Sequence, residues 1–232
     1  MRVAILGGTG TLGEGLCLRL GLHTDHDLVV GSRDADRAAE AAADYAATLE
    51  AGTGDDGSAV EGAAAATIQG ADNRAAVDGA DVVVLSVPPK YARRTVEAVD
   101  DLLSAGTVLV SPAVPMTRGE GGFRHDPPRT ADSLAALVSR SAPEDVPVVG
   151  AYHALPASRL ADLDADLGYD VPIVADDDAA RATVADLTDA VDGLRALDAG
   201  GLAVAAAVEW LTPLLLNVAR SGELHDVGPR FH

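Results

Sequence analysis

Three glycines near the N-terminus, Gly8, Gly10 and Gly13, have the spacing G-x-G-x-x-G that is typical of phosphate-binding turns. The first glycine permits a tight turn, the second lets the main chain approach a pyrophosphate, and the third lets a helix pack closely on a strand. The N–H groups and the positive dipole end of that helix then face the phosphates. The residues predicted to bind a dinucleotide in this loop are Gly8, Thr9, Gly10, Thr11, Leu12 and Gly13.

A cluster of basic residues follows a second apolar run, at residues 27–31. Enzymes that prefer NAD usually place a carboxylate there for the ribose 2′-hydroxyl, whereas this chain has Ser32 and Arg33, with Arg37 one helical turn further on. A carboxylate would repel a 2′-phosphate, and a guanidinium can bind it bidentately. The sequence therefore favours NADP(H). The alternative interpretation is that Ser32 or Asp34 only caps the next helix and that the arginines are solvated.

Candidate pocket residues lie at the carboxyl ends of three further apolar runs or directly after them. These runs are at residues 81–88, 107–111 and 146–152. Ligands of open α/β sheets collect outside the carboxyl ends of the strands, so these residues should share one rim. The predicted rim residues are Ser86, Val87, Pro88 and Lys90 at the first run, Ser111, Pro112, Val114 and Met116 at the second, and His153, Pro156 and Ala157 at the third. Their convergence predicts a pocket on the nicotinamide side of the cofactor.

The composition narrows the choice of partners and compartment. The chain has 36 acidic and 17 basic side chains and a formal charge of −19, which disfavours nucleic acid and anionic membrane as partners. With one lysine, Lys90, and few aromatic residues, it predicts a salt-adapted, halophilic cytoplasmic protein of haloarchaeal type. The single Cys17 cannot form a disulfide within the chain, and the histidines lack metal-ligand spacing, so we predict no metal. We expect no signal peptide and no run of about 20 apolar residues that could span a membrane.

Apolar runs and helical patterns alternate along the chain, which predicts an α/β fold of the Rossmann type with a doubly wound, mainly parallel sheet. We expect residues 1–157 to form the NADP-binding domain and residues 158–232 to form a small C-terminal α/β extension that completes the cleft. The extension should end in a long apolar helix over residues 201–220, kinked at Pro213, which offers a homodimer contact. The Gly-rich segments 51–61 and 119–129 are expected to be a surface insertion and a flap-like loop.

These residues, together with motifs further along, resemble the NADPH-dependent reductases of coenzyme F420, a deazaflavin hydride carrier. The resemblance covers nearly the whole chain, and its later segments are more specific than the first. It rests on RVA and GGTGTLG in 2–13, VGSR at 30–33, VSP and VP in 110–115, H and LPA in 153–157, VP and DDD in 171–178, GLR and LDAG in 193–200, and LTPL and N in 211–217. The chain departs from the family pattern at the 51–61 insertion and at Pro89-Lys90-Tyr91.

The resemblance implies direct hydride transfer between nicotinamide C4 and deazaflavin C5, for which the protein must stack the rings and exclude water. It implies pyrophosphate contacts from residues 9–12, 2′-phosphate contacts from Ser32, Arg33 and Arg37, and a nicotinamide border at Val87, Val114 and Ala157. His153 is the expected polar group beside the transferred hydride, with a purely structural histidine as the alternative. The expected deazaflavin wall is Ser111, Pro112, Met116, Pro156 and Asn217. For Asn217 the alternative is that it satisfies backbone freed by Pro213.

Two other functions stay open from the sequence. One is an NADPH-dependent reductase of a small imine or keto acid on the same fold, against which the short C-terminal part argues. The other is a redox sensor that binds NADP without turnover, which would need the phosphate loop but not the rim pocket. All three take small-molecule coenzymes as partners.

Overall fold

The computed structural model describes residues 1–52 and 66–232. An eight-stranded sheet has helices on both faces, and the predicted Rossmann-type α/β fold is confirmed. Its strands are β1 (Arg2–Leu6), β2 (Asp27–Ser32), β3 (Thr67–Asp72), β4 (Val82–Leu85), β5 (Val108–Ser111), β8 (Val148–Gly150), β9 (Tyr169–Ala175) and β10 (Leu194–Asp198). Two further strands, β6 (Met116–Gly119) and β7 (Gly122–His125), form a separate hairpin. Within the expected insertion 51–61, residues 53–61 lie outside the described residues.

The strand order is β10-β9-β8-β5-β4-β1-β2-β3, so β1 lies inside the sheet between β2 and β4, and the chain winds outward from it in both directions. The six strands from β3 to β8 in this order are mutually parallel. Strand β9 pairs antiparallel to β8, and β10 pairs parallel to β9. The C-terminal strands therefore continue the same sheet, and the division at residue 157 stays a prediction.

The helices cover the sheet in two layers. They are α1 (Thr11–His23), α2 (Ala35–Gly52), α3 (Asn73–Val77), α4 (Pro89–Glu97), α5 (Leu134–Ser139), α6 (Ala157–Ala161), α7 (Asp178–Asp189), α8 (Ala205–Glu209) and α9 (Leu211–Gly222). Residues of α1, α2, α6 and α7 share one core with Ile5, and residues of α3, α4 and α5 share the other with Leu6. Because successive side chains of β1 enter opposite cores, that strand is buried on both faces, as parallel sheets require.

The hairpin β6–β7 replaces the predicted loop at residues 119–129, so that prediction was wrong over residues 119 and 122–125. Side chains of β6 are exposed, and such a strand carries no apolar alternation that sequence reading could detect. The hairpin is held to α9 instead. The Asn217 amide accepts a hydrogen bond from Phe123 N at 2.8 Å and donates one to Phe123 O at 2.8 Å. The Asn217 side chain thus connects the expected flap to α9, because it makes the two backbone hydrogen bonds that a neighbouring strand would make.

The last apolar segment is divided into α8 and α9, as we predicted from the presence of Pro213. A 3₁₀ turn at Leu202–Val204 and α8 are followed by a break at Trp210, and α9 then runs to Gly222. Pro213 has no N–H for the carbonyl of Glu209 and its ring crowds that group, so the break falls there. The expectation that no run of about 20 apolar residues could span a membrane was wrong by length and composition, because the 21-residue segment Leu202–Gly222 contains an 18-residue window with a mean hydropathy of 1.7. Length and hydropathy are weak evidence for a span, since apolar helices of folded domains also satisfy both.

Candidate functional site

The glycine-rich loop has the geometry of a phosphate cradle, with one shift from the prediction. The left-handed turn lies at Gly7, with φ of +77°, rather than at Gly8. At Gly8 a Cβ would lie 2.7 Å from Ile5 O, so glycine is required there for close packing. At Gly10 a Cβ would meet only Gly7 O, at 3.3 Å, which leaves the outer side open to a ligand. At Gly13 a Cβ would lie 2.6 Å from Gly8 Cα, so the helix can approach the loop only without a side chain.

Helix α1 begins directly at this loop. Gly10 is its N-cap, and the first intrahelical bond runs from Glu14 N to Gly10 O at 2.8 Å. The amides of the first turn precede that bond and have no helical acceptor, so they are available to an anion. The hydroxyl of Tyr45 donates to Gly8 O at 3.0 Å and fixes the loop from the α2 side.

The carboxyl ends of the strands lie level along one rim. Leu6 is in register with Gly31 of β2 and with Leu85 of β4, and Ser111 of β5 is in register with Gly150 of β8. The residues that follow each strand therefore face the same edge as the phosphate loop. Val87 lies next to that loop, since its Cγ1 is 3.0 Å from the position of a Cβ on Gly7.

The basic corner lies at the end of β2. Asp34 caps α2, accepting from Asp36 N at 3.1 Å and Arg37 N at 3.2 Å, and Ser32 Oγ accepts from Asp34 N at 3.2 Å. The capping of α2 by Asp34 is thus confirmed, and it engages the carboxylate but not the guanidinium groups of Arg33 and Arg37. Arg33 and Arg37 are exposed, and neither forms an ion pair with another described residue.

A second cation from α4 reaches the same corner. The Tyr91 ring centroid lies 5.8 Å from Arg33 Cζ and 4.9 Å from Lys90 Nζ. Sequence reasoning placed Lys90 near the cofactor but missed Tyr91, because the contact joins two strand ends that are far apart in the chain.

The loop after β8 carries His153 into a buried position. Tyr152 has φ of +64°, a left-handed conformation that turns the chain sharply at the strand end. Thr212 Oγ1 donates to His153 O at 2.7 Å and anchors this turn to α9. The His153 side chain is 7% exposed, and neither ring nitrogen has a hydrogen-bond partner within the described part of the chain. Burial, together with a smaller contribution from the nearby His125, lowers the pKa of His153 to about 4, so the imidazole is neutral at pH 7.

The neighbouring strand end has a second unsatisfied polar group. Ser111 is 1% exposed, and its hydroxyl has no hydrogen-bond partner in residues 1–52 and 66–232. Buried polar groups are nearly always paired, and an unpaired one costs about 1–3 kcal/mol. Two such side chains on adjacent strand ends of one rim indicate a place where a polar ligand completes the structure.

Ala157, the expected nicotinamide contact, is the first residue of α6, and Pro156 is its N-cap. Sequence reading missed this helix, which is only five residues long. It packs on α1, where a Cβ at Gly15 would lie 2.5 Å from Leu160 Cβ. The buried Arg19 guanidinium donates to carbonyls in and after α6, among them Leu160 O at 3.0 Å and Ala165 O at 2.9 Å.

Glu209 is a structural feature that the sequence analysis did not indicate. Its carboxylate is fully buried and lies 2.7 Å from His125 Nε2, and it accepts from Leu134 N and Ala135 N at 3.0 Å each. It thereby joins α8, the hairpin and the start of α5. A single glutamate in an apolar helix was the signal that could have revealed it.

A cleft of about 510 Å³ opens between α4, the hairpin and α5. Pro88, Lys90 and Met116, three of the predicted site residues, line it together. Pro112 and Val114 are buried behind it, whereas Asn217 is engaged with Phe123. Asp177 of the Asp176–Asp178 cluster caps α7 by accepting a hydrogen bond from Ala180 N at 2.7 Å. Burial raises the pKa of Cys17 to about 12, so its thiol stays protonated at pH 7.

Comparisons with known proteins fit this geometry. Residues 2–115 match the family described as NADP oxidoreductase, coenzyme F420-dependent. The F420-dependent NADP reductase of Methanothermobacter marburgensis is 33% identical over 99% of this chain and 97% of its own. The enzyme of the same description from Methanocaldococcus jannaschii is 32% identical over 94% and 92%. Among solved structures, a candidate F420-dependent NADP reductase from Arthrobacter sp. FB24 has a TM-score of 0.78 at 22% identity, covering 100% of this chain and 99% of that one.

Proposed function

Because the chain belongs to the family of F420-dependent NADP reductases, we propose that it is an oxidoreductase that transfers a hydride directly between NADP(H) and coenzyme F420. The identity extends over nearly the full length of both relatives, so it includes the rim and the last helices as well as the phosphate loop. A sensor that binds NADP without turnover would need only the loop.

The proposal rests on one observation, namely that both ends of the rim have polar groups available to a ligand. At one end, open N–H groups and unpaired guanidinium groups suit a dinucleotide with a 2′-phosphate. At the other end, the unpartnered Ser111 hydroxyl and His153 imidazole need a polar ligand. A single extended ligand along the rim would satisfy both ends.

Each part of the chain has a defined task in this proposal. Residues 8–13 form the pyrophosphate site, with the free amides of the first turn of α1 as donors, and Ser32, Arg33 and Arg37 bind the 2′-phosphate. Ser86, Val87, Pro88, Lys90, Val114 and Ala157 form the remaining cofactor contacts. The nicotinamide and deazaflavin rings supply the hydride chemistry themselves when bound. The apolar side chains orient the cofactor and exclude water from the rim.

His153 is proposed as the polar group beside the transferred hydride. Its imidazole is neutral at pH 7, so it can offer one N–H donor and one acceptor without introducing a charge. Ser111, Pro112, Met116 and Pro156 would form the deazaflavin wall. Asn217 would contribute through the hairpin that it holds, and the C-terminal residues 158–232 would complete the cleft.

We also propose a homodimer formed through the last helix. Trp210, Leu214 and Val218 are spaced four residues apart on one side of the helix and are 49%, 55% and 44% exposed. Burial of this stripe between two copies would remove it from water. The charge of −19 makes an anionic membrane or nucleic acid a poor partner for the chain and suits a halophilic, cytoplasmic setting. Light scattering should give twice the chain mass, and Leu214→Glu should give the monomer.

The test of the activity combines the protein with NADPH and oxidised F420 at high salt while the visible absorbance of the deazaflavin is followed. The expected result is bleaching that requires all three components. Tight binding of NADPH without bleaching would instead indicate the sensor. NADPH oxidation with a small imine or keto acid, but not with F420, would indicate the alternative reductase.

A further inference from the structure

Two positive side chains from different elements lie close to the ring of Tyr91. Arg33 follows β2, and Lys90 is the second residue of α4, yet their charged groups are 5.8 Å and 4.9 Å from the centroid of the same ring. The ring is 40% exposed, so the cluster faces solvent. The face of an aromatic ring carries partial negative charge and attracts cations at such distances. The uncharged ring of Tyr91 therefore holds the charged groups of Arg33 and Lys90 close together.

The fold fixes this arrangement from both sides. Strands β2 and β4 flank β1 and end level with it, so their ends are two strand spacings, or about 10 Å, apart. Pro89 begins α4 with a fixed φ, and Tyr91 N bonds Pro88 O at 2.8 Å. The first turn of α4 therefore has a fixed direction, and Tyr91 reaches across the gap to Arg33.

The charges of the cluster are not balanced by the protein. Elsewhere on the surface, Arg93 pairs with Glu97 and Arg74 with Asp101, both at 2.7 Å. Arg33 and Lys90 form no ion pair with a carboxylate in the described ranges, although acidic side chains outnumber basic ones by 36 to 17. Two like charges at one ring repel each other, and an anion between them would remove that cost.

We infer that Tyr91 is a positioning residue that sets the preference for NADP(H) over NAD(H), because its ring holds Arg33 and Lys90 together on the 2′-phosphate. The inference rests on the proposed function, and it adds a residue without charge to the discrimination between the two cofactors. NAD(H) has no phosphate at this corner, so its affinity should not depend on the ring.

The test measures the dissociation constants of NADPH and NADH by calorimetry, without F420 and at one fixed salt concentration. Tyr91→Ala should weaken NADPH about two- to fivefold, as expected for exposed cation–π contacts, and should leave NADH unchanged. Tyr91→Phe keeps the ring and should retain the wild-type ratio. Phe231→Ala is the control, because that ring is 48% exposed on the C-terminal segment that bonds to β9 and β10, at the far end of the sheet from β2, and its loss should not affect either cofactor.

Three outcomes would overturn the inference: an unchanged ratio in Tyr91→Ala, an equal loss for both cofactors, or a loss in Tyr91→Phe as large as in Tyr91→Ala. Circular dichroism tests whether each variant is folded. We expect all of them to fold, because the Tyr91 ring is 40% exposed. Failure of the proposed function looks different, since wild-type protein would then not prefer NADPH or not reduce F420. If wild-type protein prefers NADPH and Tyr91→Ala has the same preference, the role of Tyr91 is refuted and the proposed function is not.

Discussion

The buried Glu209 carboxylate allows a quantitative prediction about how the hairpin is held. Replacement by alanine leaves three buried donors without an acceptor, namely His125 Nε2 and the amides of Leu134 and Ala135. Each unsatisfied buried group costs about 1–3 kcal/mol, and breaking a buried pair typically costs about 3–5 kcal/mol in all. We therefore expect Glu209→Ala to lower the free energy of unfolding by about 3–5 kcal/mol. Glu209→Gln keeps the shape and one acceptor, so its loss should be smaller.

Urea denaturation of the two variants and of Glu144→Ala, an exposed control, measures these differences. The control should stay within about 0.5 kcal/mol of wild type. A double-mutant cycle with His125→Ala should show coupling above about 1 kcal/mol, because the two side chains share one bond. Trp210, the only tryptophan, lies 5.7 Å from the His125 ring and gives a local fluorescence signal. A loss below 1 kcal/mol in Glu209→Ala, or strict additivity with His125→Ala, would refute the reasoning.

Three further predictions concern the site. Arg33→Ala should weaken NADPH by about 1–3 kcal/mol with little effect on NADH, and equal losses in a titration of both cofactors would contradict the 2′-phosphate role. Gly10→Val should abolish NADPH binding and lower the melting temperature less than Gly13→Val does, since a Cβ at residue 10 would lie 3.3 Å from Gly7 O and one at residue 13 only 2.6 Å from Gly8 Cα; intact binding in Gly10→Val would argue against the register of the loop. His153 has a pKa of about 4 when folded and about 6.5 when unfolded, so the unfolded state takes up its proton first and stability falls as pH drops from 6.5 to 4. His153→Gln should remove about 3 kcal/mol of that fall in denaturation at the two pH values, and an identical pH profile would show that the imidazole is not buried and neutral.

The first third of the fold could be predicted closely because its signals are local. The glycine spacing predicted a strand before the loop and a helix after it, and the structure has Arg2–Leu6 and Thr11–His23 there. The apolar run at residues 27–31 coincides with β2 at Asp27–Ser32. Strands buried on both faces have few alternative interpretations. The basic corner was visible for the same reason, since Ser32, Arg33 and Arg37 are close together in the sequence.

The elements that were missed depend on residues far away in the chain. The hairpin consists of four-residue strands, and its contacts to α8 and α9 come from Glu209 and Asn217. Helix α6 has five residues and no capping signal, and Arg19 of α1 holds it. Tyr91 joins Arg33 only after β2 and β4 have been placed on either side of β1. Local propensity contains none of this information, because the stabilising partner is supplied by tertiary structure.

The guanidinium of Arg19 has a consequence for how the molecule can be divided. Its acceptors are main-chain carbonyls of Arg159, Leu160, Asp162 and Ala165, so nothing in the side chains of that stretch needs to be kept for the contact to survive. A chain ending at residue 157 would lose every one of these acceptors and open the surface that Gly15 presents to Leu160. Residues 1–157 would then carry an orphaned charge on the helix that begins at the glycine-rich loop. Truncation at that point should therefore yield a fragment that aggregates, because the Arg19 guanidinium and the surface under Leu160 would both lose their partners.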